Sequence, residues 1–180
     1  MVTLILLIHL ILYALTVLPF FPGTYLYEQF LGVNIYIVEG EIWRLITPIF
    51  MHSGFSHMLF NSFSLLIFGP GLERILGKSK FLFLYIITGL FANLATLVFQ
   101  PLTYTHVGSS GAIFGIFGIY MAIVLFRKDI LSAENKHTIL TITIIGIIMT
   151  FFQNNINIIG HIFGLLSGFV LGTLYLRRKQ

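Results

Sequence analysis

The sequence predicts an all-α membrane protein, a six-transmembrane-helix bundle with both termini cytoplasmic, and three observations carry that prediction. Of 180 residues, 57% are hydrophobic and only 9% charged, whereas a water-soluble domain carries about a quarter charged residues. Mean hydropathy is +0.98. Too few charges remain to coat a surface that faces water, so most of the surface must face lipid. The apolar residues also gather in six continuous stretches, at about 2–18, 56–72, 81–99, 109–126, 138–153 and 158–176. Each is near the roughly 17–25 residues that a helix needs to cross the hydrocarbon. Finally, nine of the ten basic residues fall on one side once the spans alternate.

That last observation sets the orientation. Arg74, Lys78 and Lys80 lie between the second and third stretches, Arg127, Lys128 and Lys136 between the fourth and fifth, and Arg177, Arg178 and Lys179 after the sixth. Only Arg44 lies opposite. Basic loops stay on the cytoplasmic side. The net charge of +4 and pI near 9.5 are thereby assigned to membrane topology, and no nucleic-acid partner is expected. Continuous apolar runs exclude an alternating-pattern barrel. One domain, 1–180, accounts for the length. No cysteine is present, which excludes disulfides, a thiolate nucleophile and a cysteine-rich metal site.

The first stretch has no basic n-region and no cleavage motif, so it reads as a retained helix. Residues 19–55 lie outside. Phe20, Phe21, Tyr25, Tyr27, Phe30, Tyr36 and Trp43 suit a loop lying partly in the membrane interface. The second stretch opens with His57, Asn61 and Ser64, spaced so that they share one helix face. The fourth opens Gly108-Ser109-Ser110-Gly111, and the sixth opens Gly160-His161. The fifth is the shortest, with an end uncertain by two to four residues.

Polar groups inside a membrane helix are costly and mark function by default. The second, fourth and sixth stretches all run inward, and each carries its polar groups in the first two turns. At about 1.5 Å per residue, the three sets share one shallow layer below the outer surface. Glycine rows say which helices touch: Gly160, Gly164, Gly168 and Gly172 in the sixth, and Gly111, Gly115 and Gly118 in the fourth. Such rows allow close backbone approach. If they meet, Ser110 and His161 come together at the outer end. At about 100° per residue, Ser110 lies roughly 100° from the centre of the glycine face and Ser109 roughly 160°, so Ser110 is the better nucleophile candidate.

A serine hydroxyl needs a base within reach, and His161 can take its proton and return it to a leaving amine. No acidic residue occurs in the spanning parts of the fourth, fifth or sixth stretches. The pair is therefore a dyad, its imidazole oriented by packing, to which Phe114 contributes one turn after Ser110. Oxyanion donors are available from His57, Asn61 and the Ser110 backbone N–H at a helix start.

These residues together resemble the rhomboid family of intramembrane serine proteases. Gly108-Ser109-Ser110-Gly111 is similar to its G-x-S-G motif and His57 to Asn61 to its H-x-x-x-N. His161 with Gly164 and Gly168 resembles its sixth-helix base within a glycine row. Trp43-Arg44 resembles the W-R pair of the first loop, and Gly69, Glu73 and Gly77 fit G-x-x-x-E-x-x-x-G. The resemblance implies a rhomboid-like bundle that is a multi-pass protein of the cell membrane. It implies endopeptidase cleavage within transmembrane protein substrates near the outer face. It also implies that the fifth helix and the loop around Gln153–Ile159 gate and cap the site. Phe114 stands where many members have a tyrosine stacked on the histidine, and Gly160 where alanine is common.

Simpler roles compete. His57 and Asn61 alone would be interhelical hydrogen-bonding groups worth about 0.6 kcal/mol each, and a lone Ser110 would bond back to its own helix. His52 reads as a bridge between loop and helix, His106 as non-catalytic, His9 as a bundle hydrogen-bonder, His137 as a solvated cytoplasmic residue, and Arg44 as a snorkelling cation. A metal site from His52, His57 and His161 ranks low. No cofactor is expected, and the oligomeric state stays open. Two further function classes stand behind the protease: a catalytically silent rhomboid-like binder of transmembrane segments, and a small transporter, which would show repeats and broken helices at the midplane.

Overall fold

A computed structural model describes residues 1–127, 129–152 and 156–177. Lys128, Arg178 and Lys179 of the charge pattern, and residues 153–155 of the expected cap, lie outside the described residues. Six longer helices form the bundle: α1 Val2–Val17, α4 Phe55–Leu76, α5 Lys78–Phe99, α6 Ser110–Phe126, α7 Ala133–Phe152 and α8 Ile158–Arg177. The segment between α1 and α4 holds two short helices, α2 Gly23–Phe30 and α3 Asn34–Val38, and two 3₁₀ turns, Ile42–Leu45 and Thr47–Phe50. Among the described residues, α5, α7 and α8 are long and apolar enough to cross a membrane, while α1 and α6 are apolar but shorter. The chain is an all-α membrane protein. Its outward faces carry exposed Leu4, Leu7 and Ile11 on α1, Ile144 and Ile148 on α7, and Leu166 and Val170 on α8.

Helix ends follow local chemistry. α4 runs to Leu76, beyond the expected 72, because Pro70 is tolerated inside it and Gly77, with φ of 83°, ends it. That left-handed conformation suits glycine. α5 follows at once from Lys78, and α7 starts at Ala133 rather than 138 because Ala-Glu-Asn-Lys extends the helix on its polar side. The Glu73 carboxylate accepts hydrogen bonds from the Met1 amine at 2.7 Å and the Val2 N–H at 2.9 Å. This pins the C-terminal end of α4 to the start of α1, where Gly69 leaves room for Val2.

α6 is the central helix. Ala112 through Tyr120 are buried without a break, as expected of a helix enclosed on all sides. Its neighbours approach because side chains are missing. A Cβ on Gly164 would lie 2.1 Å from the Gly111 carbonyl oxygen, and one on Gly168 would lie 2.0 Å from that of Gly115. On another side, Cβ atoms on Gly111 and Gly115 would meet Ala92 and Thr88 of α5 at 2.6 and 2.2 Å. Gly111 and Gly115 therefore serve two helices at once, giving α8 their carbonyls and α5 their empty Cβ positions.

The loop between α1 and α4 is built rather than draped. Arg44, read as a snorkelling cation, is buried: its Nη1 donates to the carbonyls of Glu28 and Leu31 at 2.6 and 2.7 Å, and its Nε to Glu41. A guanidinium offers five fixed donors, and here they tie the C-terminal end of α2 to the residue that precedes the first 3₁₀ turn. Asn34 Nδ2 reaches the carbonyls of Thr96, Gln100 and Pro101. A two-residue antiparallel pairing of β1 (Gly32–Val33) with β2 (Thr105–His106) then ties this loop to the segment preceding α6.

His106 lies buried on Gly32, where a Cβ would come within 2.4 Å of its ring. Burial pushes its pKa down from 6.5 to about 4. Once the loop opens, the imidazole takes up a proton below its ordinary value that the closed form refuses, so acidification favours opening. The β1–β2 pairing is expected to keep its strength above about pH 6.5 and to weaken as the pH falls toward 4. Amide exchange at Gly32 and Val33 should show this dependence, and His106→Phe should flatten it.

Candidate active site

Ser110 opens α6 and His161 lies in the first turn of α8. The Gly164–Gly111 contact brings these two helix starts to one end of one seam. Gly160 is part of the same approach, its carbonyl 3.5 Å from a Cβ built on Gly111. Ser110 is half-buried. Ser109 is fully buried, its Oγ 3.5 Å from His52 Nε2. Only one of the two serine hydroxyls therefore faces accessible space.

The His161 ring is held on two sides. Phe114 stacks on its face with centroids 4.2 Å apart and planes 16° from parallel. Its Nδ1 lies 2.8 Å from Thr150 Oγ1, on α7. An apolar cavity of about 130 Å³ opens beside it, bounded by Phe114, Thr150 and Leu165. The helix start beneath it is capped by Asn157, whose Oδ1 accepts from the Gly160 N–H at 2.9 Å while its Nδ2 donates to Thr96 Oγ1 at 2.7 Å. The cap fixes the first turn of α8 and ties it to α5.

Thr150 and Asn157 were both missed in the sequence. For Asn157 a signal existed, an asparagine just before an apolar run and three residues before a glycine N–H. A lone threonine within an apolar helix gives none.

On α4, the Nε2–Cε1 edge of the His57 ring abuts Gly108: a Cβ there would be 2.6 Å from His57 Nε2, and Gly108 has φ of 120°. Glycine is required on both counts. Ser53 Oγ is 3.0 Å from His57 Nδ1, and Asn61 Nδ2 donates to the His57 carbonyl at 2.8 Å. His57 thus stands beside Gly108, and Asn61 follows it one turn along α4. Ser64 does not join them, since its hydroxyl donates to the Phe60 carbonyl.

Behind the site, His9, His52 and His57 pack edge to face, with centroids 4.6 and 5.3 Å apart. His9 Nδ1 meets Ser62 Oγ at 3.3 Å. Burial, with His9 and His57 alongside, pushes His52 down to about 2 against the opposing pull of the Phe50 backbone. It is a neutral packing group. Among the described residues, no three His, Asp or Glu side chains converge to hold a metal ion.

Comparison with known proteins identifies the family. The family model described as the Rhomboid domain matches residues 39–178. The chain is 44% identical over 179 residues to YdcA of Bacillus subtilis (strain 168), named as a candidate rhomboid protease, covering 99% of this chain and 90% of that protein. It is 38% identical over 136 residues to the rhomboid protease GluP of the same organism, covering 76% of this chain and 26% of that one. It is 36% identical to the RHOMBOID-like protein 5 of Arabidopsis thaliana over 148 residues, 80% of this chain and 47% of the relative. The chain belongs to the rhomboid family.

Proposed function

We propose that this protein is an intramembrane serine endopeptidase that cuts transmembrane segments of membrane proteins near the outer face of the cell membrane, using Ser110 and His161. The observation that carries the reading is the glycine–carbonyl seam between α6 and α8, which sets the only accessible serine of the G-x-S-G turn at the same end as a stacked, buried imidazole. That two relatives are named as rhomboid proteases supports the same activity. α1, α4, α5, α6, α7 and α8 are the six spans in this proposal, with both termini cytoplasmic.

In the mechanism, His161 Nε2 takes the Ser110 proton as Oγ attacks the scissile carbonyl, and an ester forms as the amine leaves with that proton. Water then repeats the sequence on the ester. The oxyanion is met by the Ser110 N–H, which has no intrahelical acceptor at the helix start, and by His57. In this reading the Ser53 hydroxyl, 3.0 Å from Nδ1, donates to it, which leaves the His57 proton on Nε2, the nitrogen nearest Gly108. Asn61 adds the amide N–H not used by the His57 carbonyl.

A fluorophosphonate probe tests the reading directly. The reconstituted protein is expected to become labelled on Ser110, and labelling is expected to vanish in Ser110→Ala and His161→Ala. Labelling that persists in Ser110→Ala would remove the mechanism, and a folded wild type that neither labels nor cleaves would be a binder of transmembrane segments. His57→Ala should lower kcat by about 10²–10³-fold. Ser64→Ala, four residues from Phe60 with its hydroxyl already occupied there, should leave kcat unchanged in the same peptide-cleavage assay.

A further inference from the structure

We infer that Thr150 on α7 is a positioning residue that fixes the tautomer of His161, so that the proton resides on Nδ1 and the lone pair on Nε2. The inference rests on the dyad proposed above and supplies the orienting partner that a dyad lacks.

The argument is one of counting protons. The Thr150 hydroxyl lies 2.8 Å from His161 Nδ1 and also 2.8 Å from the Gly146 carbonyl oxygen one turn earlier. A threonine hydroxyl has one proton and two lone pairs. If that proton pointed at Nδ1, two oxygens would face each other at 2.8 Å with no proton between them, which is hydrogen-bond distance without a hydrogen bond. If it points at Gly146, both contacts become hydrogen bonds, with Nδ1–H donating to Oγ1 and Oγ1–H donating to the carbonyl. Only the second arrangement satisfies both distances. A neutral imidazole with its proton on Nδ1 has its acceptor on Nε2, the nitrogen required to take a proton from serine.

The surroundings enforce the arrangement. Thr150 is 3% exposed and His161 8%, and the neighbouring cavity is lined by carbon, so no bulk water competes for Nδ1. Gly146 leaves space in which Phe114 lies 3.5 Å from its Cβ position, so one stretch of α7 both seats the stacking ring and supplies the acceptor. When Nε2 takes the serine proton, the imidazolium keeps its Nδ1–H on Thr150. The new charge stays on the imidazole and is stabilised by the two successive hydrogen bonds that end on the Gly146 carbonyl, each strengthening the other. No proton leaves Nδ1. The Nε2 proton passes to the departing amine, and the tautomer is restored.

The test is steady-state cleavage of a fluorogenic transmembrane peptide in liposomes by wild type, Thr150→Val and Thr150→Ser. Valine keeps the shape and loses the acceptor. Thr150→Val is expected to lower kcat roughly 10- to 100-fold with KM unchanged, and Thr150→Ser to return kcat to within about threefold of wild type. A Thr150→Val enzyme with the wild-type kcat overturns the inference, as does a Thr150→Ser enzyme as slow as the valine variant. Nitrogen-15 NMR of histidine-labelled wild type gives a measurement that needs no variant to fold. His161, assigned by loss of its signals in His161→Ala, is expected to show a protonated Nδ1 and an unprotonated Nε2, and the opposite pattern overturns the inference. Abolition by Ser110→Ala and His161→Ala alongside an unaffected Thr150→Val removes this inference and leaves the dyad standing. Cleavage unaffected by Ser110→Ala removes both.

Discussion

Ser110→Ala is expected to lower cleavage of a reconstituted transmembrane peptide by about 10⁴-fold or more while leaving the melting temperature of the protein unchanged. The two halves of that expectation come from different features. Rate falls because, in the proposed mechanism, the Ser110 oxygen forms the new bond, and the neighbouring Ser109 is buried. Stability holds because Ser110 is half-buried at the first position of α6, where helix packing is borne by Ala112, Gly115 and the residues that follow. Ser109→Ala should do the reverse. Its buried hydroxyl faces His52 Nε2, and removing it leaves a buried nitrogen without that partner, at a cost of about 1–3 kcal/mol. Cleavage and thermal unfolding measured on the two neighbouring variants should therefore separate. A Ser109→Ala variant that loses activity as completely as Ser110→Ala at full stability would exchange their roles.

Gly168→Ala is expected to be the most disruptive single-methyl substitution in the bundle. The added carbon would lie 2.0 Å from the Gly115 carbonyl oxygen and 2.7 Å from its carbon. Backbone cannot rotate aside as a side chain can, so α6 and α8 must part. Overpacking typically costs about 1–3 kcal/mol, and a rigid contact belongs at or above the upper end. Separation at Gly168 also moves the end of the same seam that holds the proposed dyad, where a displacement of about 1 Å can cost about 10²-fold in rate. The variant should therefore melt lower and cleave more slowly even when folded. Gly54→Ala is the control: its φ of 179° is ordinary extended backbone, and its Cβ position has nothing within 4 Å. A Gly168→Ala protein as stable and active as Gly54→Ala would contradict the packing described.

What could be read from the sequence was whatever leaves a periodic or compositional trace. Glycines four apart pointed to the α6–α8 contact, because backbone proximity in lipid depends on small residues. The angular position of Ser110 relative to that row separated it from Ser109, which is fully buried with its hydroxyl toward His52. Contacts set by the relative register of two helices left no trace. Thr150 meets His161 because α7 and α8 are offset in one particular way, and nothing in either segment alone encodes that offset. α2 and α3 were likewise hidden. Helices of 8 and 5 residues are too short for a periodic pattern, and the groups that fix them, Arg44 and Asn34, act through backbone carbonyls whose positions exist only in the folded chain. A charged residue beside an aromatic one reads as a membrane anchor until those carbonyls are seen.

The α6–α8 seam also carries a consequence for genetics. A damaging bulge at most helix interfaces can be relieved by a second-site change that shrinks the residue opposite. Here the atoms opposite Gly164 and Gly168 are the oxygens and carbons of the main chain at Gly111 and Gly115, residues that already have nothing left to remove. Intragenic suppressors of Gly164→Ala or Gly168→Ala should therefore never arise at the facing positions. Revertants selected for restored activity should be true revertants at the glycine codon, or distant changes that raise the stability of the whole bundle.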